Sequence, residues 1–264
     1  MRLGTISAVS SVESFPIYLR PLLAPSVADS LPPMSDVLPP DAEKATSVRA
    51  MFDLIAPQYD RLNRWLSLRL DQYWRRQTIR SVGVCADDGV LDLACGTGDL
   101  SELAATTGAH VIGVDFARNM LVGATRRRIS AAFIQADANA LPLPTATVSV
   151  VLSGFALRNF VSIPRALQEA ARVLKSGGRL ALLEVDTPRH TLLKWGHGFY
   201  FQRIVPLLGG LISDRKSYLY LPRSVVYLPE ESELLQMVRA AEFEQVVKKR
   251  LSGGVAQLIT AVRR

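Results

Sequence analysis

The chain has 264 residues, of which 48% are hydrophobic and 21% charged, and 31 Lys+Arg against 24 Asp+Glu give a formal net charge of +7. These values are close to the average for globular proteins and exclude a collagen-like, disordered or disulfide-stapled chain. The basic balance favours an anionic partner, and nucleic acid and a membrane surface are the two candidates. Two cysteines, Cys85 and Cys95, are too few for a disulfide framework, which is typical of a reducing cytosolic compartment.

The first 47 residues differ in composition from the rest of the chain. They contain seven prolines and many serines and alanines, and no hydrophobic periodicity extends through them. This composition is typical of a tail or linker, so we predict a disordered or non-native N-terminal extension over 1–47 and one folded domain over 48–264. A cleaved organellar transit peptide and a translation start at Met34 are two alternatives for the beginning of this extension.

Helix-like and strand-like segments alternate from Val48 onward. Residues 48–82 carry apolar side chains near a 3.6-residue period, with a predicted break at Pro57. Amphipathic stretches at 99–107, 116–128 and 162–174 predict further helices. Short apolar runs between them predict strands: Val90–Ala94, His110–Val114, Ala131–Ile134, Val148–Leu152 and Leu180–Glu184. Strands separated by helices indicate βαβ units and a parallel sheet.

The end of the chain departs from this alternation. It predicts a helix and then two strands that a Gly-Gly turn joins, at Glu230–Ala241, Glu244–Lys249 and Val255–Val262. We therefore expect one α/β domain with an antiparallel ending. The longest uncharged run, at 138–157, contains two prolines and several hydroxyl side chains, so we predict a loop and a buried strand there and no transmembrane helix.

A glycine-rich turn follows the first predicted strand. The strand leads into Gly96, Thr97 and Gly98, and a predicted helix begins directly afterwards. Glycines in such a turn let the backbone approach a nucleotide cofactor closely. The spacing differs from a dinucleotide fingerprint, because Ser101 stands where the third glycine would be. A tight turn without a ligand is the alternative interpretation.

Acidic residues surround this turn and end the next strands. Asp92 and Asp99 flank it and no basic residue lies within it, which favours a cofactor that presents cations, such as the sulfonium and ammonium groups of S-adenosyl-L-methionine. Asp115 ends the second strand and can accept from both ribose hydroxyls. Asp137 ends the third and can accept from an adenine amino group, beside the backbone N–H of Ala138. A helix N-cap is the alternative role for a single such Asp. The predicted cofactor-binding residues are Asp92, Gly96, Thr97, Gly98, Asp115, Asp137, Ala138 and Gly154.

Several blocks outside this core resemble one family, the ubiquinone/menaquinone biosynthesis C-methyltransferases (UbiE/MenG-like). The most specific blocks are Tyr59-Asp60…Asn63, Leu157–Phe160 and Tyr218–Ser224, and the likeness spans 48–264. Arg69 departs from the pattern, because similar proteins usually have Gly there, and Ser176 replaces a usual Pro. The resemblance implies the Rossmann-like fold of class I methyltransferases: a seven-stranded, mostly parallel sheet flanked by helices, with an antiparallel C-terminal hairpin and a helical cap.

The resemblance also implies a reaction, the C-methylation of a polyprenylated hydroquinone with S-adenosyl-L-methionine as cofactor. Two acceptors are open. One is demethylmenaquinol, as in the last step of menaquinone and phylloquinone biosynthesis, and it is preferred here. The other is 2-methoxy-6-polyprenyl-benzoquinol, an acceptor in ubiquinone biosynthesis.

Three residues are expected to act on the acceptor. Arg158 follows the fourth strand, and since a guanidinium is not normally a base, it is expected to stabilise a phenolate or to orient a water that takes the proton. Tyr59 and Asn63 lie four residues apart on one helix face and are expected to cover the ring. An ion-pair role for Arg158 and a core role for Tyr59 are the alternatives.

The isoprenoid tail of such an acceptor implies contact with a membrane. The segment 192–208 mixes aromatic residues with Lys194 and Arg203, as interfacial helices do, although helices buried in a cap have the same composition. We therefore expect a cytoplasmic protein with peripheral contact at the inner membrane, and leave a homo-oligomer open. The three histidines have no metal-ligand spacing, so no metal is expected.

Two rival functions come from other classes. A nucleic-acid methyltransferase would suit the basic charge. It usually carries an Asn/Asp-Pro-Pro-aromatic motif or a catalytic Cys after the fourth strand, where this chain has Gly154-Phe155-Ala156-Leu157-Arg158. We therefore expect no nucleic-acid partner. A non-catalytic binding module is the other rival.

Overall fold

The computed structural model describes residues 41–188 and 228–264, and elements are numbered here over those residues. Three helices precede the sheet: α1 (Asp41–Ile55), α2 (Tyr59–Leu66) and α3 (Leu70–Ser81). The predicted break at Pro57 is confirmed, because a 3-10 turn, Ala56–Gln58, separates α1 from α2. The first helix begins at Asp41, ahead of the predicted domain start at residue 48.

Strands and helices then alternate as predicted. The strands are β1 (Gly89–Leu93), β2 (His110–Asp115), β3 (Ala131–Gln135), β4 (Val148–Gly154), β5 (Leu174–Val185), β6 (Phe243–Leu251) and β7 (Ala256–Arg263). The helices that accompany them are α4 (Asp99–Ala105), α5 (Arg118–Arg126), α6 (Ile163–Val173) and α7 (Glu231–Ala240). The largest difference from the prediction is at β5, which begins at Leu174 rather than Leu180.

These seven strands form one sheet in the order β3-β2-β1-β4-β5-β7-β6. β1 lies inside the sheet, because Val90 pairs with Val111 of β2 on one side and with Val150 of β4 on the other. β7 pairs antiparallel with both β5 and β6, whereas the other pairings are parallel. The mostly parallel sheet with an antiparallel C-terminal hairpin is thus confirmed.

Two parts of the sequence analysis lie outside the described residues. They are the predicted helical cap, including the segment 192–208, and the Tyr218–Ser224 block. Within 41–188 and 228–264, no helix combines the length and the apolar character needed to cross a bilayer.

Helices cover both faces of the sheet. On one face, α6 and α7 belong to the same apolar cluster as Leu91 and Leu182. On the other, α3 and α4 belong to a cluster with Val90 and Leu183. The neighbours Val90 and Leu91 are both 0% exposed, because successive side chains of a strand point to opposite faces and both faces are covered. This burial on two faces is why the parallel strands are continuous apolar runs in the sequence.

The strand order creates a crevice at the carboxyl ends of β1 and β4. In the sheet, β2 and β3 lie on one side of β1, whereas β4 and β5, which follow them in the chain, lie on its other side. The connections that leave β1 and β4 therefore diverge, and open α/β sheets bind ligands at such a switch point.

Candidate active site

A pocket that is partly open to solvent lies at this switch point. Its lining includes six of the predicted site residues: Tyr59, Gly96, Asp115, Asp137, Ala138 and Gly154. The other five, Asn63, Asp92, Thr97, Gly98 and Arg158, are not among the lining residues. Most of the other lining residues are aromatic or apolar, among them Phe52, Val114, Phe116, Met120, Phe155, Phe160 and Val161, and two are asparagines, Asn139 and Asn159. The pocket therefore combines a carboxylate-bearing end with an extensive apolar surface.

The glycine loop after β1 has a backbone that suits glycine. Gly98 has φ +87°, and a Cβ there would lie 2.7 Å from Cδ1 of Ile129. Gly96 has φ +56° and donates its backbone N–H to Oδ2 of Asp115 at 2.8 Å. The end of β2 thus fixes the turn that follows β1.

Asp115 faces the pocket with both carboxylate oxygens already engaged. Oδ1 accepts from the backbone N–H of Ala117 at 2.8 Å, and Oδ2 accepts from Gly96. Burial raises the pKa of Asp115 to about 6, although these two N–H groups favour the charged form. Each oxygen keeps a further lone pair, so Asp115 can still accept from ligand hydroxyl groups.

Asp92 lies behind the loop and is 1% exposed. Its Oδ2 accepts from the Ser101 hydroxyl at 2.6 Å, whereas its Oδ1 has no hydrogen-bond partner within the described part of the chain. Burial raises the pKa of Asp92 to about 6 against the hydrogen bond from Ser101. A buried carboxylate oxygen without a donor is expensive, and a cationic ligand near the loop would lower that cost. This atom fits the predicted cofactor.

Asp99 has a different role from the one that its position suggests. We expected it to add negative charge to the cofactor site, but three guanidinium groups occupy its carboxylate. Arg64 binds both oxygens at 2.8 and 3.0 Å, Arg127 lies 2.8 Å from Oδ1, and Arg75 lies 3.5 Å from Oδ2. Burial opposes ionisation of Asp99, but these partners outweigh it and lower the pKa to about 2.

Helix α2 lies over the glycine loop. A Cβ on Gly96 would be 3.9 Å from Cε1 of Tyr59, and the Thr97 hydroxyl donates to Oδ1 of Asp60. The Asn63 side chain lies near the Tyr59 phenol and lowers its pKa against the effect of burial, and Phe52 meets the Tyr59 ring edge-on. Burial raises the pKa of the Tyr59 phenol, so this hydroxyl stays protonated and can donate a hydrogen bond. The structure thus brings Tyr59 and Asn63 together beside the loop.

Arg158 is held in a buried ion pair. It lies in a 3-10 turn after β4, is 6% exposed, and pairs with Glu184 of β5, which is 0% exposed. The backbone N–H of Val185 also donates to Glu184 Oε1, at 2.9 Å, whereas Oε2 has no partner in the described ranges. The Arg158 charge acts on the Tyr59 phenol. Arg158 and Tyr59 are therefore close enough for the guanidinium charge to affect the phenol.

Asp137 and Ala138 form the rim of the pocket after β3. Asp137 is exposed, and its Oδ1 accepts from the backbone N–H of Asn139 at 2.8 Å. The same oxygen accepts from the Asn139 side-chain amide at 3.1 Å. The turn therefore holds this carboxylate in one orientation at the pocket.

Sequence reasoning missed two residues of the site. Glu184 ends the apolar run Leu180–Leu183, and the strand-end pattern that points to Asp115 applies to it equally. Phe155 lines the pocket with φ +60°, and the Arg75 guanidinium lies 5.0 Å from the centre of its ring. No local pattern indicates that left-handed conformation or the arginine above the ring.

Comparison with known proteins identifies related chains. The model of the ubiE/COQ5 methyltransferase family matches residues 41–263. The "Ubiquinone/menaquinone biosynthesis C-methyltransferase UbiE" of Syntrophotalea carbinolica is 39% identical over 84% of this chain and 97% of its own length. The "Demethylmenaquinone methyltransferase" of Thermus thermophilus is 43% identical over 79% of this chain and 97% of its own length.

The fold also matches solved structures. A crystal structure of an S-adenosyl-L-methionine-dependent methyltransferase from Thermotoga maritima, described as a possible histamine N-methyltransferase, superposes with a TM-score of 0.58. The match covers 82% of this chain and 100% of that one at 20% identity, so it supports the fold alone.

The buried carboxylate of Asp92 predicts a specific dependence of stability on pH. Its pKa rises from 3.8 to about 6 on folding, so the native state binds the proton more tightly, and stability falls as the pH rises through that window. Asp92→Asn removes this titration. Relative to the wild type, its free energy of unfolding should rise by on the order of 2–3 kcal/mol between about pH 4 and about pH 7, measured by urea denaturation without cofactor.

Asp99→Asn is a control in which the lost carboxylate has a pKa shift of the opposite sign. The pKa of Asp99 is depressed to about 2, so its stabilisation is complete above about pH 4 and is lost only as the pH falls toward 2. This variant should be less stable than the wild type at neutral pH, with no relative gain between about pH 4 and 7. A pH-independent difference between Asp92→Asn and the wild type would contradict the role given to Asp92.

Proposed function

This chain belongs to the ubiE/COQ5 methyltransferase family, and we propose that it methylates a ring carbon of a polyprenylated hydroquinone, with demethylmenaquinol as the acceptor. It is a methyltransferase that depends on S-adenosyl-L-methionine. The names of its relatives support a quinol acceptor, and several of them refer to demethylmenaquinone alone. Others name both ubiquinone and menaquinone, which keeps 2-methoxy-6-polyprenyl-benzoquinol as the second candidate.

The observation that carries this proposal is the composition of the pocket. One end presents the Asp115 carboxylate beside the glycine loop, and the rest of the wall is largely aromatic and aliphatic. A flat, apolar ring with one or two hydroxyl groups fits such a wall.

Residues at the carboxyl ends of the first four strands would hold the cofactor. Asp115 would accept from the ribose, the rim residues Asp137 and Ala138 would meet the adenine, and Gly96 and Gly154 allow close approach of the backbone. A Cβ on Gly154 would lie 2.9 Å from Leu100, so this position has no room for a side chain. When bound, S-adenosyl-L-methionine supplies an already activated methyl group, so the protein mainly needs to align the reactants.

The acceptor ring needs help in losing its phenolic proton. We assign Arg158 to the stabilisation of the resulting phenolate from behind the pocket wall, because its guanidinium is buried next to the lining residues Ala156 and Asn159 and is fixed in direction by Glu184. The protonated hydroxyl of Tyr59, supported by Asn63, would donate a hydrogen bond to the acceptor, and its ring would pack on the quinol. Glu184 acts as a positioning residue, since it holds Arg158.

The identity of the acceptor can be tested in cells. Deletion of the gene should cause the demethylated precursor of one quinone to accumulate, and mass spectrometry of the lipid extract names that precursor. Accumulation of demethylmenaquinone is expected. Accumulation of the methoxy-benzoquinol would transfer the proposal to the second acceptor, and an unchanged quinone profile would contradict both.

Asp115→Ala should weaken the binding of S-adenosyl-L-methionine by about 1.5–3 kcal/mol, the scale of a charge-assisted contact made with two groups. Isothermal titration below the melting temperature of the variant measures this affinity. Asp115→Asn keeps one acceptor oxygen for the loop and should bind with intermediate affinity. Unchanged affinity in Asp115→Ala would contradict the ribose assignment.

Arg158→Ala should lower kcat about 10²–10³-fold with little change in the cofactor Kd, the usual scale for one preorganised electrostatic group. A higher pH should partly restore its rate, because a pre-ionised quinol no longer needs the guanidinium. Single-turnover rates with saturating cofactor measure both effects.

Two further variants separate this role from simple packing. Arg158→Lys should rescue poorly, because an ammonium does not reproduce the planar donor geometry of a guanidinium. Tyr59→Phe keeps the ring and should cost less than Arg158→Ala. If Arg158→Ala lost only cofactor affinity, its assignment to the phenolate would be wrong.

A further inference from the structure

An exposed surface around the turn between α2 and α3 combines apolar and basic side chains. Seven large hydrophobic residues are exposed in the described part of the chain, and four of them lie within nine residues of sequence: Trp65, Leu68, Leu70 and Tyr73. Four arginines are exposed within or beside these nine residues: Arg61, Arg69, Arg76 and Arg80. We call these eight residues the turn surface.

The turn surface carries no compensating negative charge of its own. Asp71 is the only carboxylate between residues 61 and 81, and it is 2% exposed and bound to Arg64 and Arg75 inside the protein. The exposed charge of this segment is therefore entirely positive. Such a segment attracts an anionic surface.

One helix face presents much of this surface. In α3, Leu70, Tyr73, Arg76 and Arg80 are spaced three or four residues apart and are all exposed, so they share one side of the helix. The buried residues of α3 lie on the opposite side: Asp71, Trp74, Arg75, Thr78 and Ile79. The helix thus has one face in the core and one that is apolar and basic together.

The turn that joins the two helices is closed by backbone hydrogen bonds and leaves Leu68 exposed. The N–H groups of Leu68, Arg69 and Leu70 donate to the carbonyl groups of residues 65, 64 and 67, respectively. Leu68 is 72% exposed, and both Leu68 and Arg69 have left-handed backbone conformations, with φ +51° and +64°. Glycine adopts that conformation without strain. An arginine at 69 costs stability and adds a cation at the most exposed point.

We propose that the turn surface docks on the surface of an anionic lipid bilayer. Arginines around exposed Leu, Trp and Tyr side chains are the composition of an interfacial membrane contact. A nucleic acid would use the arginines but would gain nothing from an exposed leucine, because phosphate groups bind cations and not aliphatic chains. A bilayer is therefore the partner that explains both the arginines and the exposed apolar side chains.

The position of the turn surface relative to the pocket fits this partner. Tyr59 at the start of α2 lines the pocket, and the helix ends at Leu66, which places the turn roughly 10 Å further along the helix axis. An acceptor with a long apolar tail could keep that tail in the bilayer beside the turn. The apolar and basic composition of the turn surface is the same whichever acceptor the enzyme uses.

Pelleting with lipid vesicles tests the proposal without any quinol or cofactor. The full chain should bind vesicles of phosphatidylcholine with added phosphatidylglycerol, bind phosphatidylcholine alone much less, and dissociate as salt is added. Leu68→Gln should weaken binding to the anionic vesicles about tenfold. Val247→Gln is the matched control: Val247 is 58% exposed on the edge strand β6, and this variant should bind like the wild type.

Arg69→Gly separates membrane contact from a structural role. It should weaken vesicle binding about fivefold through the lost charge, and it should keep or raise the melting temperature because glycine relieves the left-handed conformation. A merely structural arginine would lower both together. Neither Leu68→Gln nor Arg69→Gly should change kcat with a detergent-solubilised quinol. A loss of vesicle binding is therefore distinguishable from a failure of the proposed methylation.

Several outcomes would overturn the proposal. They are wild-type protein that stays in the supernatant, equal binding by Leu68→Gln and the wild type, and an equal loss in Val247→Gln. Titration with a duplex RNA completes the test. RNA binding that depends on Arg69 but not on Leu68, together with weak vesicle binding, would make the turn surface a polyanion site.

Discussion

The geometry of the active site depends on the carboxylate of Asp99. Asp99 is the first residue of α4, where the unpaired N–H groups of a helix start favour a negative charge. It binds Arg64 of α2, Arg75 of α3 and Arg127, which directly follows α5. This carboxylate therefore joins α2, α3 and the end of α5 directly after the glycine loop, in addition to the apolar packing of α3 against the sheet. Without it, Arg64, Arg75 and Arg127 would lose the one carboxylate that all three share, and Arg64 and Arg75 would keep only Asp71.

Three other acidic residues of the site are buried at strand ends. Asp92, Asp115 and Glu184 lie at the ends of β1, β2 and β5, and burial makes an ionised carboxylate costly. Within the described residues, one oxygen of Asp92 and one of Glu184 have no donor. Natural folds accept such local conflicts mainly where function requires them. Here they fall beside the loop that would hold the cofactor and beside the arginine assigned to the acceptor.

Much of the fold and part of the site follow from local patterns. The buried strands are predictable because burial on two faces requires continuous apolar runs such as Val148–Leu152. Asp115 and Asp137 are predictable because parallel strands bring their carboxyl ends to one edge of the sheet. The role of Asp99 is not, since its partners Arg64 and Arg127 lie 35 and 28 residues away and only the tertiary structure brings them together. The pairing of Arg158 with Glu184 depends in the same way on two neighbouring strands.

The distant partners of Asp99 also determine when the N-terminal helices can join the domain. α2 and α3 precede both Asp99 and Arg127 in the chain. These helices have 8 and 12 residues, and isolated helices of that length are marginal in water. The ion pairs that join α2 and α3 to the rest of the site can form only once β1, β2 and α5 have been synthesised. Although α2 and α3 come before the sheet in the chain, their attachment through Asp99 depends on residues that are made after them.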